Sequence, residues 1–167
     1  VGGAGKGVSG PPSSALMRAA IGQGRRNVAR AAGGPFGACV VRGGVVVAAA
    51  RNTVLARRDP TCHAEVNAIR LAARRLGTYD LGGCVIYSTT EPCPMCFAAI
   101  HWAGIGTVVS GTRIADVARL GFRELTISNR RMKSLGGSGI VLVEGFLREE
   151  CLALLEAWAA RHAGRTY

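Results

Sequence analysis

The chain has 167 residues, about half of them apolar, and a formal net charge of +11. That is enough for one domain with a real core and too apolar for a disordered chain, and no apolar run approaches the roughly 20 residues that span a bilayer. The positive excess suggests polyanions, but every basic residue except Lys6 and Lys133 is arginine. Apart from four adjacent pairs the arginines are scattered, so a solvated basic surface is expected ahead of a nucleic-acid site.

Residues 1–14 are rich in Gly, Pro and Ser and lack the apolar core of a secretory signal. They are expected to form a flexible tail before a single domain over 15–167. Ala15–Ala31 reads as a helix, with Leu16, Ala19, Ala20, Val28 and Ala31 as its apolar face and Gly22 and Gly24 as weak points. Gly33-Gly34-Pro35 ends it. Phe36–Val41 and Val45–Arg51 are β-branched runs joined at Arg42-Gly43-Gly44, a hairpin signal. A polar loop follows over Asn52–Pro60. Cys62–Leu76 predicts a helix with Ala64, Ala68, Leu71 and Ala72 on one side and Gly77 as its stop. Cys84–Ser88 is a third strand, Pro94–Trp102 a short apolar helix and Thr107–Gly111 a fourth strand. Arg113–Leu120 has helical character, and Phe122–Ser138 has no clear period. Ile140–Val143 is a fifth strand. Leu147–Arg161 predicts an amphipathic helix with Leu147, Cys151, Leu154, Leu155 and Trp158 on one face. After the hairpin, strands alternate with helices, which implies a largely parallel sheet covered on both faces.

The chemistry lies in His63-Ala64-Glu65 and Pro92-Cys93-Pro94-Met95-Cys96. One imidazole and two thiolates hold a zinc ion and leave a fourth position for water, as a catalytic zinc requires. Glu65 is close enough in sequence to His63 to stand beside that water and move its protons. A redox role for Cys93-x-x-Cys96 would leave His63 and Glu65 without a purpose. A structural zinc would need a fourth protein ligand. Cys62 is the obvious candidate, but neighbouring side chains point apart, so it is expected to pack. With Cys39 and Cys84 in strand-like runs and no export signal, the six cysteines suit a reducing cytoplasm better than a disulfide framework.

Four segments carry a family resemblance: Gly34-Pro35-Phe36-Gly37-Ala38, Asp59 through Glu65, Glu91 through Cys96, and Gly121-Phe122. Over residues 15–162 the chain resembles the cytidine-deaminase superfamily, whose zinc deaminases have the signature H-x-E with P-C-x-x-C. Within it, the chain is most similar to small bacterial guanine deaminases, with tRNA adenosine deaminases second. The resemblance implies a three-layer α/β/α fold around a five-stranded mixed sheet, and one zinc per chain. It implies hydrolysis of a base's C–NH2 to C=O, with guanine giving xanthine and ammonia, water activated on zinc and Glu65 shuttling protons. A cytoplasmic homodimer acting on a small nucleobase is expected, with Phe97, Ile100 and Trp102 near the metal helix as candidate contacts.

The resemblance also implies base contacts. Phe36 would stack on the purine, Asn52 would hydrogen-bond it, and Ala64 and Trp102 would line its pocket. Glu124 would accept from guanine N1–H and the exocyclic amine, and Tyr167 would reach a neighbour's pocket. By residue type alone, Phe36 and Trp102 also suit a core, Glu124 a surface beside Arg123, and Asn52 a turn. The chain departs from the family where Cys62 replaces a common alanine and Glu124 replaces an aspartate, and Val143–Cys151 is nearer the tRNA branch. These departures bear on the substrate. Cytosine, isocytosine, an amino-triazine and the wobble adenosine of tRNA remain as alternatives, the last with nucleic acid as partner.

Overall fold

The computed structural model describes residues 10–162, 164 and 166. Strands β1 (Gly37–Arg42) and β2 (Val45–Arg51) form an antiparallel hairpin in which Arg42 pairs with Val45. The two residues between them, Gly43 and Gly44, have φ of 57° and 78°. A two-residue turn with both φ positive matches the twist of the strands, and glycine adopts it without a Cβ clash. β3 (Cys84–Thr90), β4 (Thr107–Thr112) and β5 (Val141–Val143) complete a sheet of order β2-β1-β3-β4-β5. β3, β4 and β5 run parallel, as the strand–helix alternation implies. β1, however, lies antiparallel to β3, so the sheet is mixed.

Period-2 alternation divides the core. Ala38, Val40, Ile86 and Val108 face one cluster, and Cys39, Val41, Val85, Tyr87 and Val109 face the other. The first is covered by α3 (Ala64–Leu76) and α4 (Pro94–Trp102), through Ala64, Ala68, Ala72, Phe97 and Ile100. The second is covered by α1 (Ser14–Arg30), through Met17, Ala20 and Ile21, and by Cys151 of α7 (Arg148–His162). Leu154, Leu155 and Trp158 of α7 join the first cluster with Val28. The result is the expected three-layer α/β/α arrangement.

Several local expectations change. The buried face of α1 is rotated to Met17, Ala20, Ile21, Gly24, Asn27 and Val28. Gly24 is a packing requirement as well as a propensity cost, because a Cβ there would lie 2.5 Å from Leu154 Cδ2 and 2.8 Å from Pro35 O. The polar loop after β2 contains a short helix, α2 (Val54–Arg57), while α5 (Ile114–Ala118) and α6 (Asn129–Gly136) occupy the segment before β5. Phe97 and Ile100, expected as contacts between copies, are core residues with 2% and 0% exposure. A residue cannot serve both surfaces, and the apolar side of α4 is spent on the sheet.

Candidate active site

His63 is the N-cap of α3 and Cys93 the N-cap of α4, with Pro94 in the first turn, where its missing N–H costs nothing. Neither side chain makes the capping hydrogen bond of an N-cap residue. A Ser or Asp there would contribute about 1 kcal/mol to each helix. Instead the two side chains turn toward each other, and Cys96 joins them from the first turn of α4. His63 Nδ1 and Cys93 Sγ are 3.6 Å apart, and one donor atom from each of the three residues falls within a 4.8 Å group. Tetrahedral zinc with ordinary bond lengths separates a sulfur and a nitrogen by about 3.6 Å. The donor set therefore fits zinc. Cys62 stays outside the group, as expected: its thiol donates to Asp59 Oδ2 at 3.4 Å.

Glu65 lies in the first turn of α3 and is 6% exposed. The Ser88 hydroxyl donates to its Oε1 at 3.0 Å, and the Cys96 thiol lies 3.5 Å from its Oε2. Burial raises the Glu65 pKa, and the charge of Cys93 adds to this, against the pull of His63. The hydrogen bond from Cys96 brings the Cys93 thiol down to about 4, helped by His63 and opposed by burial. Cys96 is held well above the usual thiol range by that same bond and by burial. Burial opposes the His63 imidazolium, but the bond to Cys93 and the nearby negative charges raise its pKa overall. The partial positive charge of two helix N-termini also favours anions at this point.

Glu124 sits in the irregular segment between α5 and α6 and is pushed up to about 7. Burial is the main cause, with Cys93 and Glu65 adding and His63 opposing. The group therefore lies within electrostatic reach of His63, Cys93 and Glu65. Among the described residues no cation pairs with it. Phe36 is nearly buried and meets Phe122 edge-on at 5.2 Å. Asn52 is fully buried. Its Oδ1 accepts from Val54 N at 3.0 Å, which fixes the amide orientation, and its Nδ2 has no partner among the described residues. A Cβ at Gly33 would lie 2.1 Å from that Oδ1, so glycine is needed there. Ala64 is fully buried between the histidine and the glutamate. Trp102 does not join them: it is 84% exposed at the far end of α4, about 9 Å along the helix from Cys96. Tyr167 lies outside the described residues.

Four supporting residues escaped the sequence reading. Ser88 orients Glu65. The Asn27 amide donates to Gly34 O at 2.8 Å and Asn52 O at 2.7 Å, tying the Phe36 loop to Asn52. Glu91 accepts from Ile114 N at 3.2 Å and Asn129 N at 2.8 Å, while the Asn129 amide donates to Pro92 O at 2.6 Å. These bonds strap the segment that carries Phe122 and Glu124 onto the loop that carries Cys93. A polar side chain on the buried stripe of α1 was the available signal for Asn27. Glu91 stood in a recognised motif, but its partner was too distant in sequence to see.

Residues 12–112 match the family described as the cytidine and deoxycytidylate deaminase zinc-binding region. The chain is 40% identical over 126 residues to a guanine deaminase of Bacillus subtilis, covering 75% of this chain and 80% of that protein. It is 33% identical over 124 residues to a tRNA-specific adenosine deaminase of the same organism, covering 74% of each. The solved structure of a guanine deaminase from Nitrosomonas europaea superposes with a TM-score of 0.81 at 34% identity, over 93% of this chain and 87% of that one.

Proposed function

The chain belongs to the cytidine and deoxycytidylate deaminase zinc-binding family and is a zinc-dependent aminohydrolase, and we propose that it deaminates a free nucleobase, guanine first, to xanthine and ammonia. The observation that carries the choice of base is Glu124. A part-buried carboxylate within electrostatic reach of His63 and Cys93, with no ion-pair partner among the described residues, is costly unless a donor-rich ligand meets it. Guanine offers N1–H and the 2-amino group on one edge. Adenine offers a bare acceptor at N1, which a carboxylate repels. The unpartnered Asn52 Nδ2 supports the same reading, since it provides a donor for a ring acceptor. Phe36, held against Phe122, gives an apolar wall for the base, and Ala64 leaves room beside Glu65.

Zinc, when held by His63 Nδ1, Cys93 and Cys96, supplies an open position for water and lowers that water's pKa toward about 7. Glu65 takes a proton from the attacking water and delivers it to the ring nitrogen next to the amino-bearing carbon. It then carries the second proton to the departing amine. The C–N bond breaks, a C–O bond forms, and the sum is base plus water to oxo-base plus ammonia. Burial moves the Glu65 pKa up toward the working pH, which suits a group that must both accept and donate. Ser88 holds Oε1, and Oε2 becomes available for this work once Cys96 gives up its proton to bind zinc.

Ammonia release from the zinc-loaded protein tests the reading, with guanine, cytosine, isocytosine, adenine and a tRNA anticodon stem-loop in parallel. Guanine is expected to react fastest. Release from adenosine in the stem-loop with none from guanine would assign the chain to the RNA branch instead.

A further inference from the structure

Five arginines that are dispersed in the sequence line one cavity of about 620 Å³ on the flank of α3. They come from α1 (Arg26), the end of β2 (Arg51), α2 (Arg57) and α3 (Arg70, Arg74). The same wall holds one carboxylate, Asp59, which already accepts from Thr61 N at 2.8 Å and Thr61 Oγ1 at 2.6 Å. Among the described residues no ion pair reaches any of the five guanidinium groups. Arg51 Nε is buried and has no hydrogen-bond partner there. A concave wall with this many unneutralised cations is unfavourable by itself and invites a counter-ion.

We propose that this groove binds an oligophosphate, a small ligand carrying two or three linked phosphates such as a free nucleoside triphosphate. Five guanidinium groups and one carboxylate leave four net positive charges in the wall, close to the charge of a triphosphate. The planar guanidinium fork matches phosphate oxygens two at a time. The volume exceeds what a single phosphate fills. The α3 side of the groove lies away from Glu65: at about 100° per residue, Arg70 and Arg74 project about 140° and 180° around the helix from it. That separation argues against an RNA backbone, because a strand presenting its base to the metal would have to wrap around α3 to reach the groove.

Calorimetric titration of the zinc-loaded chain with tripolyphosphate, a nucleoside triphosphate and an RNA stem-loop, at one fixed ionic strength, tests this. Tripolyphosphate is expected to bind saturably, one per chain. The double variant Arg57→Gln/Arg74→Gln is expected to weaken it at least tenfold with the melting temperature and zinc content unchanged. Arg131→Gln/Arg161→Gln removes the same charge elsewhere and is expected to leave binding intact. Three results overturn the site: no tripolyphosphate binding, equal weakening in both double variants, or RNA binding that needs Arg57 and Arg74 while tripolyphosphate does not bind. None of these depends on which base is deaminated.

Discussion

Replacing Glu65 with glutamine isolates the proton shuttle from the metal. The glutamine carbonyl can keep the Ser88 bond that Oε1 accepts at 3.0 Å, and its NH2 can donate to the Cys96 sulfur now 3.5 Å from Oε2. Shape and hydrogen bonding are thus preserved, and no metal ligand is touched. What disappears is the ability to take and return a proton. Loss of one general acid–base group costs about 10²- to 10⁴-fold, or about 3–5 kcal/mol of barrier. Because Glu65 is asked to act in both directions, the upper half of that range is expected for kcat. Stability should move the other way. The folded pKa is raised by burial, so the unfolded chain gives up this proton first as pH rises. The carboxylate therefore detracts from stability above its unfolded pKa of about 4.5, and the amide removes that cost. Steady-state ammonia release and bound zinc by elemental analysis are read on one preparation, and the melting temperature on the zinc-free protein. A variant with full zinc and more than a tenth of wild-type kcat would refute the shuttle role and pass it to Glu124. A variant that loses zinc would show that the carboxylate supports the site instead.

Zinc must displace protons from the donor set, because Cys96 is held as a thiol and the His63 pKa is raised, whereas Cys93 at about 4 is already ionised near neutrality. Zinc affinity measured against a competing chelator should therefore climb with pH, with a log–log slope of between about 1 and 2 near pH 7; a flat profile contradicts the charge states described. Asn52→Ala removes the free Nδ2 and also the acceptor for Val54 N. It should lower kcat/KM about 10- to 100-fold and the melting temperature modestly, and unchanged kcat/KM would mean that Nδ2 does not face the base. Glu124→Gln in the zinc-free protein should raise the melting temperature at pH 8 and leave it unchanged at pH 4. The folded carboxyl at about 7 binds its proton more tightly than the unfolded one, so the native carboxylate loses stability between about pH 4.5 and 7. In the loaded enzyme the same change should reduce turnover of guanine more than that of cytosine, and equal losses would remove Glu124 from base selection.

How much of this was legible in the chain depends on the range of the interaction involved. The hairpin at Gly43-Gly44, the helix over Pro94–Trp102 and the stop at Gly77 are written locally, in backbone preferences and in the period of apolar side chains. The metal set was legible for the same reason. His63 and Cys93 begin helices, and helix starts are announced by nearby residues. What the chain did not disclose is direction. Trp102 ends the metal helix yet points to solvent, while Phe97 and Ile100 turn inward because their side of α4 meets the sheet. The residues just after Phe122 have no period, and Glu124 comes within electrostatic reach of His63 and Cys93 on a segment that Glu91 and Asn129 tie to the Cys93 loop.

The sequence by itself therefore pointed to the candidate zinc ligands, the carboxylate next to them and the layered α/β architecture, since each rests on spacing within one or two elements. Only the tertiary structure decided that β1 pairs antiparallel to β3, that a part-buried carboxylate lies within electrostatic reach of His63 and Cys93, and that five distant arginines share one groove. Those depend on which surfaces of separate elements meet. That is settled by burial of the core as a whole, and no short stretch of chain encodes it.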